Sequence, residues 1–372
     1  MTVLAHGVGD RHDLPLPLDL VLQGAAVALL ASFLGLGVLW TKPRFRPQSR
    51  SQTSIGRVAP GDRWWPLRVA VAVGVVFVPA RAWPHLVFVL GWVGVAVLSM
   101  AFGPVWRAVN PLRLVVRVSR GRAYPAWLGY WPAAGGLLVF TWVELVEPGA
   151  LGWFLAGYAL VGVVGGLVFG AAWFEHADGF EVYSSLLGRL SPLRGNPFRA
   201  LAATPVKPGL VAVVSVCLGS TAFDSIGSTP SWARLAVVPD WVGLVAAVLV
   251  VAGSYLVACR AFGAELAHSL VPIVAGYVVA HYFSLLVVEG QRAVALLLGV
   301  EGFTPSEALV APVVVASVQI GAVLAGHLVA VVSAHDRSLA LLPAERHLTG
   351  QVPLLLLMVG YTAGGLALLF AG

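Results

Sequence analysis

Charge is scarce in this 372-residue sequence: only 11% of residues are Asp, Glu, Lys or Arg, against about 25% in ordinary soluble domains. So few charges cannot cover a water-facing surface, which excludes a soluble globular protein. Disorder is excluded for the opposite reason, because 59% of the residues are hydrophobic and the mean hydropathy is +0.88. Cysteine is almost missing. Cys217 and Cys259 stand in separate apolar runs without Cys-x-x-Cys spacing, so neither a disulfide framework nor a thiolate metal centre is on offer. Also absent are a phosphate-binding Gly-x-x-x-x-Gly-Lys loop, a Gly-x-Ser-x-Gly nucleophile turn, the kinase signatures and a His-Glu-x-x-His pair. Nucleotide-driven chemistry, the common soluble hydrolases and zincin-type proteolysis therefore have no support.

What is there is apolar length. Ten runs recur, at Leu18–Trp40, Leu67–Ala80, Leu86–Gly103, Trp127–Val146, Leu151–Trp173, Gly209–Phe223, Trp241–Cys259, Leu266–Val288, Leu309–Ala334 and Val352–Phe370. A span needs about 20 residues, so Leu67–Ala80 and Gly209–Phe223 read as short or re-entrant. The apolar stretch Ala293–Val300 is too brief to cross and is expected at the outer surface. The expected fold is all-α: a single polytopic transmembrane bundle of about ten spans over residues 18–372, after an extracytoplasmic tail of residues 1–17. The charged tail precedes a long run rather than a brief one with a cleavage site, so no removable leader is expected. The 42 glycines suit close helix packing in lipid.

Orientation follows from the loops. With the N- and C-termini outside, 19 of the 23 basic residues fall in inner loops, leaving Arg11, Arg81, Arg234 and Arg292 outside. Ten of the 17 acidic residues fall outside, Glu144, Asp224 and Glu289 among them. That is the positive-inside pattern of a multi-pass protein of the plasma (inner) membrane. Insertion and anionic lipid headgroups account for the basic face, with no nucleic-acid partner. Tryptophans such as Trp40, Trp64, Trp65, Trp106, Trp127 and Trp241 lie near run ends, where indoles anchor at the interface. Two inner loops share a pattern, Asn110-Pro-Leu-Arg113 and Asn196-Pro-Phe-Arg199. Turn chemistry explains it better than duplication does, and the halves of the chain show no convincing match.

Ionisable groups within apolar runs are costly in lipid, so each is a candidate for function. An inner set comprises Glu175, His176 and Asp178, then Glu265 and His268, then His327, His335 and Asp336. Glu265 and His268, three apart, share a helix face. Pro272 deprives the His268 carbonyl of its helical partner, so a kink is expected there. An outer set comprises His281 with Ser284, Asp224 with Ser225, Glu289, and the tail residues His6, Asp10, His12 and Asp13. His281 sits well inside an apolar run and must find a hydrogen-bond or metal partner, with Asp224 or the tail as sources. Imidazole plus carboxylate suits a divalent metal such as zinc, with His176, His268, His281, His327, His335 and Asp336 as ligands. Glu265 and Asp224 are then the catalytic carboxylates. The alternative for both sets is a hydrogen-bonded packing cluster. Haem is disfavoured, because His268 and His281 are 13 residues apart and point about 220° away from each other.

Leu4-Ala-His-Gly7 with Asp13-Leu-Pro-Leu-Pro17, Asn110-Pro-Leu-Arg113, Trp173-Phe-Glu-His176, Gly326-His327 and Ala334-His-Asp-Arg337 together resemble actinobacterial membrane proteins labelled fenitrothion hydrolase. The likeness runs over most of the chain. It implies cleavage of an organophosphate-type ester and a lipophilic small-molecule partner, and carries no assigned catalytic residues. Three functions stay open: a metal-assisted hydrolase of a lipophilic ester, a transporter or ion- or proton-conducting protein, and a membrane assembly subunit without catalysis. The topology is directly testable. Cysteines introduced at Thr2 and Gly372 should react with an impermeant maleimide added to intact cells, and cysteines at Gln52 and Gly195 should not; labelling of the latter pair would overturn the ten-span arrangement.

Overall fold

The computed structural model describes residues 17–45, 63–119, 121–235, 237–300, 302–308 and 310–370. The tail candidates His6, Asp10, His12 and Asp13 lie outside these. Every element among the described residues is helical. The long helices are α1 (Leu18–Leu39), α2 (Trp65–Val76), α3 (Ala80–Phe102), α4 (Trp131–Leu145) and α5 (Pro148–Phe169), followed by the nine-residue α6 (Gly179–Leu187). After it come α7 (Leu210–Gly227), α8 (Asp240–Ala258), α9 (Gly263–Leu297), α10 (Pro312–Leu341) and α11 (Thr349–Leu369). Eight of these are long and apolar enough to cross a membrane: α1, α3, α5 and α7 to α11. The chain is a multi-pass membrane protein.

Two of the ten apolar runs fold into shorter helices. α2 has 12 residues and α4 has 15, about 18 and 22 Å against a hydrocarbon core of about 30 Å. Gly209–Phe223, which reads short, is completed by its polar flank to the 18 residues of α7. Residues 293–297 are the last turns of α9 rather than a separate surface segment. Proline sets several starts: Pro66, Pro132, Pro148 and Pro312 stand in first turns, and Pro272 and Pro353 stand where α9 and α11 turn from 3₁₀ to α-helical at Val271 and Val352; in both places a missing N–H costs little. At Pro272 the expected irregularity takes a definite form. The chain winds as a 3₁₀ helix over Gly263–Leu270 and becomes α-helical at Val271. α3 is π-helical over His85–Gly94, and Trp92 in that stretch stacks on Tyr183 of α6 at 4.3 Å.

The helices divide into interior and rim. In their most apolar windows, 72% of α7 and 67% of α9 are buried, against 22% of α1, α5 and α8. The rim helices turn Leu34, Val38, Trp153, Leu160, Leu249 and Val257 outward, as a lipid-facing surface requires. Buried polar side chains lie on the interior helices α7 and α9, and also on α6 and α10.

α9 and α10 approach most closely at two glycines. A Cβ on Gly276 would stand 2.5 Å from the carbonyl oxygen of Ala322, and one on Gly326 would stand 2.5 Å from that of Pro272. In lipid, helix association rests on such backbone contact, since burying apolar surface gains little there. Replacing Gly276 by Val should therefore cost about 1–3 kcal/mol through overpacking, read as a lower thermal midpoint in detergent. Gly253→Ala on α8, where nothing lies within 4 Å of the added carbon, should leave the midpoint unchanged.

Candidate functional site

The last turns of α7 and the middle of α9 form one buried polar assembly. His281 Nε2 lies 2.8 Å from Asp224 Oδ2, and the Tyr282 hydroxyl donates to the same oxygen at 3.0 Å. Ser225 Oγ is 3.2 Å from His281 Nδ1 and donates to the Thr221 carbonyl at 3.3 Å. All four side chains are buried. A carboxylate oxygen only accepts, so Nε2 carries a proton and Asp224 fixes the ring. Glu144, in the last turn of α4, is half-buried. Glu144 counts in the sequence as one more acidic residue on the outer side, but it falls inside an apolar run, the signal that marked the other candidates. Two turns further along α9, Glu289 receives Arg292 at 2.8 Å and His85 Nε2 at 3.1 Å.

A second assembly joins the Asn110-Pro-Leu-Arg113 motif to the start of α6. Asp178 caps that helix, its Oδ1 accepting from the backbone N–H of Phe180 and Glu181 at 3.0 and 3.2 Å. Its Oδ2 accepts from Asn110 Nδ2 and from the Tyr158 hydroxyl, both at 2.9 Å. Arg113 pairs with Glu181, both buried. Burial pushes the Glu181 carboxyl up to about 7, with Arg113 opposing the shift. The two motif positions three apart thus dock on two acidic positions three apart. Nothing in the sequence alone pairs Arg113 with Glu181, since 68 residues separate them. The other motif copy, Asn196-Pro-Phe-Arg199, shares only the turn, with Asn196 capping Phe198 and Arg199. Beside this assembly, a cavity of about 450 Å³ runs between α4 and α5, lined by Gly135, Gly136, Gly157, Trp142 and Phe154, with Tyr158 and Asp178 as polar members.

The remaining sequence candidates go to separate settings. The His176 ring stacks on Tyr124 and Tyr130 at 5.2 and 5.9 Å, with Nδ1 on the Ala172 carbonyl at 2.8 Å and Nε2 receiving Lys207. Burial holds this imidazole below its ordinary value. Glu265 pairs with Arg337. His268 Nδ1 donates to the Glu265 carbonyl at 3.0 Å and His327 Nδ1 to the Val323 carbonyl at 2.9 Å. His335 faces Gln351 Oε1 at 3.1 Å and the Trp40 carbonyl at 2.9 Å. Asp336 accepts from Trp40 Nε1, Arg44 N and Phe45 N at 3.1, 2.6 and 3.1 Å. The Ala334-His-Asp-Arg337 motif therefore fastens the segment after α1 to α10. Among the described residues, no three His, Cys, Asp or Glu side chains converge so as to hold a metal ion. No protein-family model, curated protein or solved structure matches this chain.

The buried Arg113–Glu181 pair makes a prediction by asymmetry. Removing one partner strands the other, so Arg113→Leu should cost about 3–5 kcal/mol, while Arg113→Leu combined with Glu181→Leu should recover most of it. Thermal midpoints of the purified single and double variants in detergent measure the difference.

Proposed function

We propose that this chain is a ten-span protein of the plasma membrane, with both termini outside, that conducts or carries a proton or small cation through a site built on Asp224 and His281. Counting α2 and α4 with the eight long helices gives ten crossings, and this count is the one that collects 19 of 23 basic residues in inner loops. The observation that carries the function is the pairing of an acidic and a basic side chain deep between the two most buried helices. Such groups are expensive in a bilayer and mark ion or proton pathways. The hydroxyls of Tyr282 and Ser225 extend the pair into a short hydrogen-bonded chain. Purified protein in liposomes, given an imposed pH or sodium gradient, should show a flux that falls at least tenfold in Asp224→Asn and in His281→Ala while both variants insert normally. Full flux in both variants sinks the reading.

One observation favours a second reading, the hydrolase that the family resemblance implies. Ser225, His281 and Asp224 stand in line, an order that would let His281 take the hydroxyl proton once Ser225 turns it from the Thr221 carbonyl, while Asp224 orients the ring. The groove between α4 and α5 offers an apolar surface for a lipophilic ester. A metal-assisted form would need ligands beyond His281 and Asp224, and among the described residues no third His, Cys, Asp or Glu converges on them. A fluorophosphonate probe should then label the wild type and not Ser225→Ala. That result is not expected of the carrier.

A further inference from the structure

We propose that a groove between α1 and α10 seats one anionic phospholipid, with its phosphate on Arg44 and an acyl chain lying along Gly35 and Leu328. The groove, of about 510 Å³, is lined by Ser32, Gly35, Leu36 and Leu39 of α1 and by Leu328 and Val332 of α10, with Trp40 and Arg44 at its end. The α1 positions recur at three, four and seven residues, which puts them on one helix face. Nothing lies within 4 Å of the place a Cβ on Gly35 would take, so this glycine holds the groove open. Ser32 donates its hydroxyl to the Ala28 carbonyl at 2.7 Å, which leaves an apolar occupant no unsatisfied donor to cover. The depth also fits a lipid. α1 has 22 residues, about 33 Å, close to the hydrocarbon thickness of about 30 Å. Arg44, just past its last turn, therefore stands at headgroup level, and Ser32 to Leu39 covers about 10 Å of the acyl region. The site needs neither the carrier nor the hydrolase reading, only that α1 crosses the membrane.

Charge selects the headgroup. Arg107, Arg113, Arg292 and Arg337 each pair with a glutamate. Among the described residues, no carboxylate pairs with the exposed Arg44 guanidinium, which donates to the Leu39 carbonyl at 3.3 Å and lies 4.2 Å over the Trp40 ring. The acid of this segment, Asp336, already accepts from Trp40 Nε1, Arg44 N and Phe45 N, so its charge is met inside the protein. The chain is held on both sides of Arg44. His335 Nε2 reaches the Trp40 carbonyl at 2.9 Å, and Phe45 stacks on Phe198 at 5.0 Å. A cation fixed in this way loses little freedom on binding. Guanidinium matches phosphate with two parallel N–H bonds, and basic pockets between membrane helices take anionic headgroups. Lys42, also exposed, adds a second positive charge two residues away. The groove between α4 and α5 lacks this feature, since no Lys, Arg or His lines it.

The test is native mass spectrometry of the purified full-length protein, offered phosphatidylglycerol and phosphatidylcholine with the same acyl chains. The wild type should retain one phosphatidylglycerol in preference to phosphatidylcholine. Arg44→Gln should lower that preference about fivefold, the worth of one basic residue at an anionic surface. Gly35→Leu, which fills the groove, should lower phosphatidylglycerol retention as far. Arg122→Gln, at an exposed arginine outside the groove, should change nothing, and glycerol phosphate, a headgroup without tails, should not compete. Thermal midpoints in phosphatidylcholine should match the wild type in all three variants; where Arg44→Gln lowers its midpoint, Gly35→Leu decides. Equal retention of the two lipids, a preference that survives either groove substitution, an equal loss in Arg122→Gln, or competition by glycerol phosphate overturns the inference. A lipid-free dimer that Gly35→Leu dissociates assigns the groove to a second copy of the chain and overturns it as well.

Discussion

Hydrocarbon offers no hydrogen-bond partner, and that constraint governs this molecule at every level. Backbone groups satisfy themselves within helices, which explains why every described element is helical. Side-chain hydroxyls do the same on a smaller scale. Ser32, Ser99, Thr221, Ser254, Ser317 and Thr362 all donate to a carbonyl four residues back in their own helix. Groups too polar for that solution are buried between helices, on α6, α7, α9 and α10, where they can meet one another.

The same constraint explains how the segments between helices are held. Asp178 caps the first turn of α6, Asp336 collects N–H groups from the chain that follows α1, and Glu181 and Glu265 each receive an arginine. These carboxylates act as fasteners, and their partners lie 20 to 296 residues away or in the next turn. Asp224 meets a titratable ring and a phenol instead, with His281 Nε2 and the Tyr282 hydroxyl both on its Oδ2.

Glycine has a comparable division of labour. At Gly276 and Gly326 the missing side chain lets two backbones touch, which replaces the apolar driving force that helices in lipid lack. At Gly135, Gly136 and Gly157 nothing occupies the space that a side chain would fill, and a groove opens between α4 and α5. The sequence shows 42 glycines alike; packing separates those that close a contact from those that leave a cavity.

The sequence by itself determined that the chain is all-helical and lives in a membrane, because composition and run length are local properties that no tertiary arrangement can reverse. It also marked Asp224, His281, Asp178 and Glu265 as costly residues needing partners, since the price of a buried ionisable group is independent of its neighbours. It could not say which partner each takes. Arg113 with Glu181, Trp40 with Asp336, and His281 with Asp224 are decided by how helices distant in sequence lie against each other. Helix lengths were only half legible: α2 and α4 stop short of their apolar runs, while α7 and α9 continue past theirs. Hydropathy measures what lipid tolerates, whereas a helix ends where its last carbonyls and N–H groups find other partners, and only the folded bundle supplies those.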